Sequence, residues 1–209
     1  MLEEEREYEI VGYHGTTSSA QESIENHGLD PNLVEKRDDH WLGQGVYFYD
    51  DFDLAKWWAE TKANKKERHE SALVYKADIR CLKKHVLNLD DRKDLEMFLQ
   101  ACLEFSEDLQ ETYMKLPAFK AQKFKAVFYD YYKEEHDIYV MIRTFPKAAP
   151  RYAETIRTGE TLKKQKKLFE ILGLSFYETQ ICVSKAECIK DLSKVYDKAE
   201  LYDETEEVL

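Results

Sequence analysis

Residues 8–17 read Tyr8-Glu-Ile-Val-Gly-Tyr-His-Gly-Thr-Thr17, and residues 43–48 read Gly43-Gln-Gly-Val-Tyr-Phe48. The first stretch alternates well enough for a strand over 8–13 that ends at His14-Gly15-Thr16-Thr17. Ser18 or Ser19 then caps a helix through Asn26, closed by Gly28 and followed by Pro31. Residues 30–42 form a polar loop, and Gly45–Tyr49 is a second short strand. Asp50, Asp51 or Asp53 caps a following helix whose stripe is Leu54, Trp57, Trp58 and Thr61. Five of the seven glycines lie within the first 45 residues, and none falls between Asp90 and Thr158. Glycine serves where the backbone takes positive φ or approaches something closely, so this crowding marks the N-terminal quarter as the candidate site.

Outward from this stretch, Ala72–Ile79 and His85–Leu89 alternate as strands. A Phe-, Tyr- and Leu-rich helical pattern runs from Asp91 to His136, broken by Pro117. Ile138–Thr144 and Tyr177–Ser184 read as strands. Residues 161–172 read as a helix stopped by Gly173, and Lys185–Tyr196 as a closing helix. With no repeat and no low-complexity linker, the pattern predicts one α+β domain over residues 1–209, with a helical insertion around 91–137.

A net charge of −11 argues against a generally basic, nucleic-acid-coating protein. Residues 1–9 and 200–209 carry −9 of it, so the acidity belongs to the tails and the body is nearly neutral. No apolar run reaches the roughly 18 residues that cross a bilayer, and the N-terminus lacks a secretory pattern. Cys81, Cys102, Cys182 and Cys188 have no metal or disulfide spacing. They read as reduced core residues of a cytoplasmic protein without membrane partners. The histidines have no metal-ligand spacing either, so no metal is expected.

Three pieces carry polar groups on otherwise apolar strands. His14 precedes Gly15-Thr16, offering a ring nitrogen beside exposed backbone groups. Gly43-x-Gly45 before Val46-Tyr47-Phe48 lets a ligand lie against the chain. Glu178 and Gln180 are two apart and therefore share a strand face. Each has a plain structural reading: a strand-end histidine, tight turns, core aromatics and an exposed strand acid.

Taken in order, His14-Gly15-Thr16, Gly28-Leu29, Gly43-x-Gly45-Val46-Tyr47-Phe48-x-Asp50 and the strand around Gln180 resemble the ADP-ribosyltransferase superfamily. The resemblance is to its poly(ADP-ribose)-polymerase-like, diphtheria-toxin-like branch, close over residues 10–60 and moderate over 175–190. It implies a split β-sheet core with flanking helices, NAD as co-substrate, and transfer of ADP-ribose with release of nicotinamide. It also implies roles. His14 hydrogen-bonds the adenosine ribose, and Gly15 holds the nicotinamide carboxamide, with Thr16 and Gly45 in the same binding stretches. Tyr47 packs on the nicotinamide end and Trp58 sandwiches the ring. The family helix often carries a serine where this chain has Ala55. Aligning Ile181-Cys182-Val183 with the family's apolar run puts Gln180, not Glu178, at the catalytic glutamate position. A glutamine there holds the ribose 2′-OH but brings no full charge to the oxocarbenium-like transition state. Glu178, on the same face, is then placed to deprotonate the acceptor.

Within the family the resemblance is to toxin-like bacterial members, including anti-phage toxin–antitoxin effectors. It therefore implies a mono-ADP-ribosyltransferase, with an antitoxin or inhibitor protein as a partner. Lys115–Lys125 has four lysines, two phenylalanines and no acid, and residues 143–168 hold eight bases against Glu154 and Glu160. Bases interleaved with aromatics suit single-stranded nucleic acid and favour RNA or other nucleic acid over protein as acceptor, against the commoner reading of a solvated helix face with Phe119 and Phe124 in the core. The alternatives are a non-catalytic NAD- or ADP-ribose-binding module and a protein-directed mono-ADP-ribosyltransferase. An RNA 2′-phosphotransferase ranks last, because no basic set accompanies His14.

Overall fold

In a computed structural model, the described residues are 5–37, 40–64, 70–107, 118–147, 164, 167–168, 171–173 and 175–199. Residues 1–4 of the N-terminal acidic tail, the whole of the C-terminal one from 200 onward, the 161–172 helix for the most part, and most of the basic 143–168 stretch fall outside them. Side chains of 118–124 are likewise outside, which leaves only Lys125 from the lysine-rich run.

The fold is α+β. Seven strands form one mixed sheet: β1 (Glu7–Thr17), β2 (Val46–Tyr49), β3 (Ala72–Leu82), β4 (Val86–Asn88), β5 (Val140–Lys147), β6 (Phe176–Val183) and β7 (Ile189–Asp197). Their spatial order is β4-β5-β6-β2-β1-β3-β7, parallel only between β4 and β5. The helices whose bounds are described are α1 (Gln21–His27), α2 (Phe52–Ala63), α3 (Arg92–Glu107) and α4 (Ala118–Glu135). The last two are the expected insertion. No helix among the described residues is long and apolar enough to cross a membrane.

Alternation sorts the sheet's side chains onto two faces. Phe48, Tyr75, Ile79, Ile142, Ile181 and Val183 share one core with Ile24 and Leu29, on the α1 side. Their neighbours point the other way. Met141 and Cys182 pack beneath α3 and α4, with Phe98, Phe128 and Tyr132. Val74 packs beneath α2, against Ala55, Ala59 and Ala63. Two helical blocks therefore stand on one face.

Between those blocks the sheet is nearly parted. β1 faces β3 along its whole length, from Glu7–Leu82 to Thr17–Ala72, but meets β2 through one pair, Tyr13 and Tyr49. The ladder is replaced there by a side chain: Nδ1 of His14 donates to the carbonyl of Tyr47 at 2.8 Å. This seam positions the site.

Besides the Ser18 or Ser19 cap, which α1 lacks because it starts behind Ala20 with no side-chain cap, two expectations are corrected. Lys185–Tyr196 is not a helix; it is a 3₁₀ turn over Ala186–Cys188 followed by β7. Register shifts against β3 and a positive φ at Asp191 break the two-residue alternation. Ile189, Leu192 and Tyr196 consequently face the protein at spacings of three and four, which imitates a helical stripe.

The second correction concerns α2, which Asp51 caps by accepting from the Leu54 N–H at 2.9 Å. Its buried face is Leu54, Ala55, Ala59 and Ala63, not the stripe through Trp57, Trp58 and Thr61. Gly15 explains this. A Cβ there would fall inside the van der Waals shell of the Ala55 carbonyl oxygen and 3.0 Å from its carbon. The helix backbone lies so close to β1 that only alanines fit between them.

Candidate functional site

A cavity of about 230 Å³ opens at the seam, lined by His14, Gly15, Tyr47, Trp58 and Gln180 together with Arg37, His40 and Trp41. Because β1 and β2 splay there, residues of opposite sheet faces reach one space: His14 and Phe48 from one, Tyr47, Tyr49 and Gln180 from the other. Five predicted site residues are thus brought together. Gly45, Thr16 and Glu178 stand outside the lining. Thr16 is buried in β1, and Gly45 packs on β6, where a Cβ would sit 2.6 Å from the Val183 carbonyl oxygen. Gly43 and Gly45 thus admit neighbouring protein at these positions.

Glu178 is 2% exposed, so it is not a solvated strand acid. It faces Phe145 across the β5–β6 ladder, while Gln180 faces Arg143 on one side and Tyr49 on the other. Gln180 is therefore the member of the pair that reaches the cavity.

His14 is half-buried, and its pKa is pushed down to about 4, first by desolvation and also by the Lys62 ammonium; the Tyr47 carbonyl opposes the shift. It is neutral at pH 7. A carbonyl only accepts, so Nδ1 carries the proton and Nε2 is left as an acceptor. Because the folded value lies below the unfolded one near 6.5, protonation favours unfolding. The contribution is complete above pH 6.5 and declines as pH falls towards 4, by at most about 3 kcal/mol. Urea titrations across this range are expected to show that decline in the wild type and a shallower one in His14→Gln. Equal slopes would show that His14 does not titrate this way.

Tyr47 serves two purposes. Its ring lines the cavity with His40 at 5.4 Å, while its hydroxyl donates to the Gly43 carbonyl and accepts from the Leu42 N–H, each at 2.7 Å. Burial raises the phenol well above its usual value, so it stays protonated. Tyr47→Phe leaves the Leu42 N–H without its acceptor and the Gly43 carbonyl with only the weak Cys182 thiol donor at 3.8 Å, at an expected cost of about 1–3 kcal/mol in chemical denaturation. A loss below about 0.5 kcal/mol would show that water replaces the hydroxyl.

The loop ahead of β2 is held from α4. Asp130 accepts from the Gln44 N–H at 2.6 Å, and Lys133, 6% exposed, donates to the Gln44 carbonyl at 2.5 Å and pairs with Asp130 at 3.0 Å. A Cβ on Gly43, whose φ is +77°, would overlap the Asp130 carboxylate and meet the Lys133 ammonium at 2.8 Å.

Arg37, His40 and Trp41 are site residues that sequence reading left inside a polar loop. Their one visible signal is a base and two aromatic rings just ahead of Gly43. Trp41 and Trp58 are each 39% exposed. Trp41 stands edge-on to Phe145 at 4.7 Å, and the Lys125 ammonium lies over its ring at 5.4 Å. Among the described residues, the lining holds one arginine and no carboxylate. No group of three or more His, Cys, Asp or Glu among them is placed to hold a metal ion. All four cysteines are free thiols, with Cys182 and Cys188 buried.

No protein-family model matches the chain, and no solved structure gives a significant match. Among curated proteins, the chain is similar to the uncharacterized protein MJ0359 of Methanocaldococcus jannaschii. The two are 26% identical over 205 residues, covering 92% of each chain.

Proposed function

We propose that the chain is an NAD-dependent mono-ADP-ribosyltransferase with an ADP-ribosyltransferase-like fold, acting on a macromolecular acceptor. The observation that carries this reading is the convergence of His14, Tyr47, Trp58 and Gln180 on one cavity at a nearly parted sheet. The lining suits the ligand chemically. Trp58 and Tyr47 offer ring faces, Arg37 offers a diphosphate partner, and neutral His14 offers an acceptor to a ribose hydroxyl.

NAD supplies a cationic nicotinamide leaving group. Gln180 orients the ribose through its 2′-OH as the carbon–nitrogen bond lengthens, and the enclosing aromatics restrict water. An amine or hydroxyl of the acceptor attacks the ribose carbon, nicotinamide departs with the bonding pair, and the acceptor loses a proton. With Gln180 in the cavity, single transfer is favoured over polymer synthesis. Glu178 stays a candidate proton acceptor only if a shift of β6 exposes it to the nucleophile.

Nucleic acid is the favoured acceptor, because Lys125 and Trp41 put a cation and an exposed ring together at the mouth. Incubation with labelled NAD and total RNA or lysate should label a macromolecule and release nicotinamide. His14→Ala should abolish both. No labelled acceptor with no nicotinamide release would refute the reading. The described lining residues include no carboxylate, and Gln180 stands where the family resemblance puts a glutamate; this favours a second reading, a non-catalytic NAD- or ADP-ribose-binding module. Calorimetry showing tight NAD binding without turnover would decide for it.

A further inference from the structure

We infer that Asp130 and Lys133 of α4 are positioning residues for the seam cavity, and that the helical insertion therefore controls its binding competence. The inference rests on the NAD reading only for its ligand; the geometry stands alone. The peptide at Gln44 is gripped at both ends, its N–H by the Asp130 carboxylate and its carbonyl by the Lys133 ammonium. Glycines flank it on both sides, so the loop has little conformational preference of its own. Gly43 must lack a Cβ for the two side chains to reach it.

Three residues downstream, Tyr47 lines the cavity and offers its carbonyl to Nδ1 of His14. That bond selects the tautomer that leaves Nε2 as an acceptor. Placement of one loop thus sets both the ring wall and the histidine's hydrogen-bonding sense. Lys133 is nearly fully buried against Asp130 and the Gln44 carbonyl. A solubilising or surface role does not account for it.

The test separates positioning from plain structural support by donor–acceptor match. Asp130→Asn removes the charge but keeps an oxygen for the Gln44 N–H, whereas Asp130→Ala removes both. Nitrogen NMR of His14 at pH 7.5 should show the Nδ1–H tautomer in the wild type and in Asp130→Asn. Asp130→Ala and Lys133→Met should admit the Nε2–H form and weaken NAD binding at least tenfold in calorimetry, with native circular dichroism. Asp130→Asn should stay within about threefold of the wild type. Should Lys133→Met fail to fold, the two Asp130 variants carry the comparison, since that side chain is a quarter exposed. If both lose stability alike while the His14 signal does not move, the pair is structural only and the inference fails. A wild type that shows the Nδ1–H tautomer yet binds no NAD would defeat the functional reading and leave the positioning role to be decided by the NMR arms.

Discussion

Gly15→Ala lowers stability by about 3 kcal/mol or more, at the upper end of overpacking costs. The new methyl meets the Ala55 carbonyl, which is helix backbone and cannot rotate away. Either α2 lifts from the sheet, loosening Ala55, Ala59 and Ala63 from Val74, or β1 bends at the seam. For a chain of this size the melting temperature falls by roughly 6–12 °C. Because Gly15 and Trp58 line the same cavity from β1 and α2, ligand affinity falls with it. Thermal melts by circular dichroism read the first effect. A loss under about 1 kcal/mol would mean that helix and strand do not approach this closely.

The second large effect is chemical. Gln180→Ala removes the polar group that faces the ribose in the proposed geometry, and nicotinamide release drops by about a hundredfold, the scale of losing one transition-state hydrogen bond. Gln180→Glu moves the rate the other way. A carboxylate stabilises the positive charge that develops on the ribose carbon, so hydrolytic release rises on the order of tenfold. Gln180 sits on β6 between Tyr49 and Arg143, and the arginine helps accommodate the new charge. Steady-state release of labelled nicotinamide reads both variants. If Gln180→Ala leaves kcat unchanged, the bond does not break beside β6.

The strands flanking the seam and five of the cavity residues were legible because motif and alternation coincide there. His14-Gly15-Thr16 ends the alternating part of β1, Tyr47 lies in a four-residue strand, and Gln180 follows Glu178 on one face. Arg37, His40 and Trp41 were not, since a loop without periodicity carries no sign of where its side chains aim. The grip of Asp130 and Lys133 on Gln44 was also hidden, because it joins residues more than 80 positions apart. The α2 face was misjudged for a different reason. Hydrophobicity points to Trp57 and Trp58, but the closeness imposed by Gly15 admits only alanine, and such a limit belongs to the packed pair.

Binding at the seam is the claim on which the rest depends. An NMR titration of the protein with NAD, following the His14 ring and the indole N–H signals assigned by Trp41→Phe and Trp58→Phe, tests it most directly. Saturable shifts at His14 and Trp58 are expected in the wild type, with the Trp58 shift lost in His14→Ala. Saturable shifts confined to other residues, or none at millimolar NAD, would contradict it.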